Sequence, residues 1–272
     1  MYQNPSQGPE TKNLLLAVMA MTLIMIGWQY FYERPRMQAL QAQQAKIAAE
    51  KKDTAVAAPT LEKTAHVAPE ADTAPRIKIS TPSLHGSLSL VGGRLDDVTL
   101  ANYRESLEPN AKDVTLLTRA GSADAYFAEV GVLAGESAVR VPDATTVWKA
   151  SGTELTPEKP ITLTWNNGAG LLFERKIALD DQFMFTVTTS VKNTGSAAVT
   201  LYPYGLVSRN YGESKHMNAI IHEGPLVVAD NVLDDMNYKK IREDKTGPKT
   251  FNAMHGWLGM ADKYWLTAII PA

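Results

Sequence analysis

"QFMFTVTTSVK", Gln182–Lys192, decides how the larger part of this chain folds. Phe183, Phe185, Val187, Thr189 and Val191 recur on a period of two, and Met184, Thr186, Thr188, Ser190 and Lys192 occupy the alternate positions. That alternation predicts a strand with one buried and one solvated face. Working outward, "SLHGSLSL" sets Leu84, Gly86, Leu88 and Leu90 against Ser83, His85, Ser87 and Ser89. Turn signals separate such runs: "VGGR" at 91–94, "NNGAG" at 166–170, "LDDQ" at 179–182 and "NTGSA" at 193–197. Strands follow one another from Arg76 onward without helical crossovers, which favours antiparallel sheets in a sandwich over a parallel α/β fold. Residues 76–272 exceed an immunoglobulin-type sandwich of about 100 residues, so a doubled or extended sandwich suits the length. Only "ADNVLDDMNYKKIRED", Ala229–Asp244, has room for a short helix.

The chain closes on "HGWLGMADKYWLTAIIPA", His255–Ala272. Tyr264, Leu266, Ala268 and Ile270 alternate with Trp265, Thr267 and Ile269, and both sets are largely apolar. The pattern predicts a strand buried on both faces.

Ahead of the β region stand two segments of different character. "NLLLAVMAMTLIMIGWQYFY", Asn13–Tyr32, carries no charge. As a helix its 20 residues rise roughly 30 Å, about one hydrocarbon core. Trp28, Tyr30 and Tyr32 cluster at its far end, where membrane-interface anchors sit. A cleaved signal peptide would have a shorter apolar core and a small-x-small site, and a soluble core helix would show a polar face. The reading is an uncleaved signal anchor over 13–32, after a short N-terminus at 1–12. Lys12 precedes it, and Arg34, Arg36, Lys46, Lys51 and Lys52 follow, a distribution that leaves the orientation open. Residues 33–75 are rich in Ala, Gln and Pro and read as a flexible spacer.

Composition excludes several functions. A net charge of −2, from 27 basic and 29 acidic residues, gives no concentrated pull on nucleic acid. With no cysteine, disulfide scaffolds, thiolate zinc sites and cysteine nucleophiles are excluded. The densest polar cluster is "ESKHMNAIIHEG", with Glu213, His216, His222 and Glu223, but its glycines and proline say loop and it offers too few metal ligands. The adjacent pairs Asp96–Asp97, Asp180–Asp181 and Asp234–Asp235 read as turn residues rather than a catalytic carboxylate pair. Nothing in the sequence calls for an enzyme, a cofactor or a metal.

The order of motifs resembles a family. The anchor ending in Trp and the spacer lead into "RIKISTPSLHGSLSLVGGRLDDVTLANYRES", 76–106. "FERKIALDDQFMFTVTTSVKNTGSAAVTLYPYGLVSR" follows at 173–209, "VADNVLDDMNYKKI" at 228–241 and "GWLGMADKYWLTAIIP" at 256–271. Together they resemble the front part of the bacterial membrane protein insertase YidC family, with Gly92, Gly93, Gly256, Trp257, Tyr264 and Trp265 as its structural motif residues. The resemblance implies a mainly β fold, a large β-supersandwich of galactose mutarotase-like shape, preceded by one transmembrane helix and a flexible spacer. It implies a bacterial inner-membrane protein with the N-terminus cytoplasmic and the large domain, 76–272, periplasmic. Its implied partners are the lipid bilayer, Sec translocon components and nascent membrane proteins, the last received by a helical core that follows in the family and is absent from these residues. The chain is therefore expected to be a fragment that does not insert proteins alone. The alternative is a membrane-anchored sugar-binding or mutarotase-like protein, with His216, His222 and Glu223 as its acid–base candidates; a scaffold domain without an insertase connection is the third reading.

Overall fold

The computed structural model of the chain describes residues 9–28, 74–211 and 222–272. It divides into two compact units, Met1–Ala58 and Pro59–Ala272. In the first, α1 (Pro9–Trp28) is a 20-residue helix that begins four residues before the apolar run. Leu14, Leu16, Val18, Met21, Met25 and Trp28 along it are all exposed. Thr22 donates its hydroxyl to the Val18 carbonyl at 2.8 Å, which satisfies a polar group inside an apolar segment. Among the described residues, no helix is long and apolar enough to cross a membrane. Tyr30, Tyr32 and residues 33–73 of the expected spacer lie outside the described residues.

The second unit is the mainly β sandwich that the alternation predicts. Its strands begin with β1 (Arg76–Ser80), β2 (Leu84–Ser89), β3 (Leu95–Arg104), β4 (Asp113–Leu117) and β5 (Tyr126–Ala134). Then come β6 (Lys149–Ala150), β7 (Glu154–Leu155), β8 (Ile161–Asn166), β9 (Leu171–Leu179) and β10 (Phe185–Asn193). The last are β11 (Leu201–Arg209), β12 (Gly224–Ala229), β13 (Val232–Asp235), β14 (Gly256–Ala261) and β15 (Leu266–Ile269). A seven-stranded sheet runs β11-β5-β3-β2-β1-β7 with β4 beside β3; two four-stranded sheets run β10-β9-β8-β6 and β13-β12-β14-β15. Neighbours pair antiparallel except β1 and β7, which are parallel. Ile77, Ile79, Leu88 and Val98 of the first sheet share one core with Leu163, Phe173 and Ile177 of the second. Burying these side chains removes apolar surface from water, the main favourable term in folding.

The opening stretch behaves as its period requires from Phe185 onward. β10 lies on β9 in unbroken register, Val187 opposite Ile177 and Val191 opposite Phe173, with Thr186, Thr188, Ser190 and Lys192 exposed. Phe183 departs from the expectation. The strand starts at Phe185, and the Asp180 side chain accepts the backbone N–H of Gln182 and of Met184, both at 2.9 Å. This Asx-type turn leaves Phe183 and Met184 on the surface.

Asp180–Asp181 is a turn, as expected, but the other two aspartate pairs are not. Asp234–Asp235 lies in β13 and Asp96–Asp97 in β3. A register shift at Ser87/Leu88 makes Asp96 the extra residue of a β-bulge, with Leu88 opposite Leu95 and Ser87 opposite Asp97. Through this bulge both carboxylates reach one cluster: Asp96 ion-pairs with Arg76, and the Ser87 hydroxyl donates to Asp97 at 2.5 Å and accepts from Arg76 Nε at 2.7 Å.

Within Ala229–Asp244 the short helix is α2 (Tyr238–Glu243), capped by Asn237, whose side chain accepts the Lys240 N–H at 2.8 Å. The preceding half is a hairpin turned by Asp230 and Asn231, both at positive φ (49° and 69°), the two-residue geometry that matches strand twist.

The closing strand corrects its prediction. β15 is an edge strand with one side on the core, not a central strand buried twice. Trp265 and Ile269 pack inward, whereas Tyr264, Leu266 and Ile270 are 68%, 46% and 60% exposed. Apolar residues on both faces say nothing about whether a second layer covers the outer one. Among the described residues no layer does.

Candidate functional site

Two polar clusters stand out, one closed and one open. The closed cluster starts at the β2–β3 hairpin, where Gly92 and Gly93 both take positive φ (72° and 66°). Side chains are excluded from this turn: a Cβ on Gly93 would sit 2.5 Å from Arg175 Nη1. Arg175 projects from β9 of the facing sheet and donates to the Gly93 carbonyl at 3.0 Å, with its guanidinium 4.6 Å from the Trp148 ring centre. One residue past the turn, the fully buried Arg94 donates Nε to Glu129 Oε2 at 2.9 Å, and Tyr204 donates its hydroxyl to Glu129 Oε1 at 2.5 Å. Burial lowers the Arg175 pKa to about 10, opposed by the Glu129 charge. Burial and the neighbouring Glu129 push the Tyr204 phenol far up, so it stays a donor. Arg175 thus reaches from the second sheet to the hairpin carbonyl, while Arg94, Glu129 and Tyr204 tie the hairpin to β5 and β11 within the first sheet, a positioning arrangement rather than an exposed reaction centre.

The open cluster is a cleft of about 220 Å³ lined by Thr115, Thr118, Asp124, Tyr126, Arg209 and Asp262 among others. Arg209, at the end of β11, pairs with Asp262 at 2.7 Å. Its guanidinium lies 4.5 Å from the Tyr126 ring centre, 5.1 Å from Tyr211 and 5.8 Å from Tyr238. Tyr211 and Tyr238 stack at 3.8 Å, which brings α2 against the end of β11. Burial works against the Arg209 charge, but the hydrogen bond and charge of Asp262 outweigh it and raise its pKa. Burial likewise raises Tyr238, to about 12. The result is a preformed wall of aromatic faces around a neutralised cation, suited to contact rather than proton transfer.

The acid–base candidates read from the sequence do not converge. Glu223 accepts the Tyr211 hydroxyl at 2.9 Å, while His222 Nδ1 faces Asp235 at 3.6 Å. Glu213 and His216 lie outside the described residues. Among the described residues, no group of three His, Asp or Glu is placed to hold a metal ion. The structural motif residues are spread over the domain. Gly92 and Gly93 build the closed cluster, and Gly256 allows β14 to approach β12, since a Cβ there would meet the Val228 carbonyl at 1.9 Å. Trp257 is half-buried and Tyr264 exposed, and Trp265 meets the Tyr103 ring edge-on at 4.7 Å. Trp28 is exposed at the end of α1. Sequence reasoning missed Arg94, Glu129, Tyr204, Arg175 and Arg209. Arg175 had a signal: it occupies an inward position between Phe173 and Ile177 in β9, where a charge demands a partner.

Fold and clusters define a β-sandwich domain with a buried ion pair behind its β2–β3 hairpin and a small cleft of polar and tyrosine side chains. Residues 76–272 match the model of the YidC periplasmic domain, and the chain belongs to that family. It is similar to proteins named "Membrane protein insertase YidC" from Beijerinckia indica (39% identical over 283 residues), Bradyrhizobium diazoefficiens (39% over 291) and Rickettsia bellii (37% over 262). These alignments cover 95–96% of this chain and 46% of each relative. The chain thus spans about half the length of the curated relatives it matches.

Proposed function

We propose that this chain supplies the membrane anchor and periplasmic domain of a YidC-type insertase, acting in the insertion and folding of inner-membrane proteins. The carrying observation is the relatives' alignment across nearly the whole chain, with the periplasmic-domain match filling residues 76–272. Asn13–Tyr32 is the proposed signal anchor, N-terminus cytoplasmic. In its support, α1 is a 20-residue helix whose described apolar side chains are exposed, and Trp28 stands at its end. The sandwich would then face the periplasm, its cleft and sheet edges available to partners, Sec translocon components among them. A periplasm-active reporter fused after Ala272 tests the topology: activity is expected, and an inactive fusion contradicts it. Crosslinking of the full chain in bacterial inner membranes, probed for Sec translocon subunits, tests the partner; no adduct from cleft positions such as Thr115 or Asp124 argues against that surface.

A further inference from the structure

Exposed sheet edges invite pairing with other chains, so folded proteins blunt them with short strands, charges, proline or bulges. Most edges of this domain are blunted. β6 and β7 have two residues each, and β13 has four, two of them Asp234 and Asp235. β15 has four residues and ends just before Pro271. β11 is long but carries Pro203, and its Gly205 lies against Ile269 of β15. β10 is different. It has nine residues, no proline, no bulge, and Lys192 as its sole charge. Among the described residues, β9 is its only strand partner and no other backbone hydrogen bond joins it to another element.

We propose that the free edge of β10 pairs with β10 of a second copy of this chain, antiparallel about Thr189. The sequence of the strand is complementary to itself in that arrangement. Val187 falls opposite Val191 of the second copy, Thr188 opposite Ser190, Thr186 opposite Lys192 and Phe185 opposite Asn193. Because each pair is separated by an even number of positions, inward faces meet inward faces and hydroxyl-bearing faces meet hydroxyl-bearing faces. A one-residue slip would set the apolar set against the polar one. No like charges oppose each other, and cross-strand Val–Val and Thr–Ser pairs each favour the pairing. The half-buried Val187 and Val191 would join two cores across one continuous eight-stranded sheet. Such a contact is isologous and closes at two copies.

The test uses the full chain in detergent micelles, with its mass read by light scattering and sedimentation. The parent chain is expected to be dimeric. Thr188→Lys/Ser190→Lys and Thr188→Glu/Ser190→Glu each place like charges opposite one another twice, and each should weaken dimerisation by about tenfold or more. All four substitutions are on the exposed face of β10, so the unfolding transition should be retained. Mixing the Lys and Glu variants should restore a one-to-one heterodimer. A monomeric parent chain overturns the proposal, as does a dimer that both like-charged variants keep, or a mixture that stays monomeric. Register is checked separately, since the chain has no cysteine of its own. Thr188→Cys mixed with Ser190→Cys should form an interchain disulfide faster than either alone; equal rates in all three samples overturn the Thr189-centred pairing.

Discussion

The hairpin cluster around Glu129 and the outer face of the β13-β12-β14-β15 sheet invert the usual division of residues. In the first, Arg94, Glu129 and Arg175 are buried. In the second, Leu233, Leu266 and Ile270 stand in solvent. Burial here follows from where the topology places a second layer, not from the polarity of the side chain. A charge enters the interior when partners wait for it: the Gly93 carbonyl, the Glu129 carboxylate, the Tyr204 phenol and the Trp148 face.

The comparison breaks most visibly if the buried ion pair is cut. Arg94→Ala leaves Glu129 buried with one charged partner removed and should cost about 3–5 kcal/mol in denaturant unfolding followed by tryptophan fluorescence. The double variant Arg94→Met/Glu129→Leu should recover most of that loss, because no buried charge remains. A loss under about 1 kcal/mol for Arg94→Ala would mean that the ion pair does not hold the hairpin to β5. Next in size is the apolar core beneath it: Leu163→Ala at a fully buried site should cost about 2–5 kcal/mol. Gly93→Ala adds a side chain at φ 66° against Arg175 and should cost roughly 1–3 kcal/mol.

Alkaline pH separates the phenols from the arginine. Tyr238 has a folded pKa raised to about 12, so its contribution is intact below pH 10 and is lost as pH rises toward 12. Tyr204 acts in the same direction. Arg175, lowered to about 10, acts oppositely: the unfolded chain holds its proton more tightly between pH 10 and 12.5, so that group alone would raise stability with pH. With the phenols of Tyr126, Tyr204 and Tyr238 all raised against one lowered guanidinium, unfolding free energy should fall from pH 10 to 12, less steeply in Tyr238→Phe. An unchanged slope in that variant would remove Tyr238 from the account. The smallest effect is expected on the exposed sheet face, where Leu266→Ser and Ile270→Ser should shift stability by no more than about 0.5 kcal/mol. A larger loss would mean that this face is covered when the protein unfolds from its working state.

Legibility followed the same divide. Period-two alternation sufficed for β10 from Phe185 onward, because one face meets the core and the other meets water. It failed at Phe183, where Asp180 captures two backbone N–H groups and delays the strand. It failed again at Asp96–Asp97, where a bulge overrides the simple alternation of faces. The aromatic cleft was out of reach, since Tyr126, Arg209, Tyr238 and Asp262 are far apart in sequence and meet only through sheet order.

By itself the sequence determined the β class and the turns at Gly92–Gly93 and Asn166–Gly170, because local sterics and periodicity set these within a few residues. Only the tertiary structure decided that Arg175 finds its partners across the sandwich and that the closing strand is an edge. Both depend on which sheet lies over which face, and no spacing along one strand carries that information.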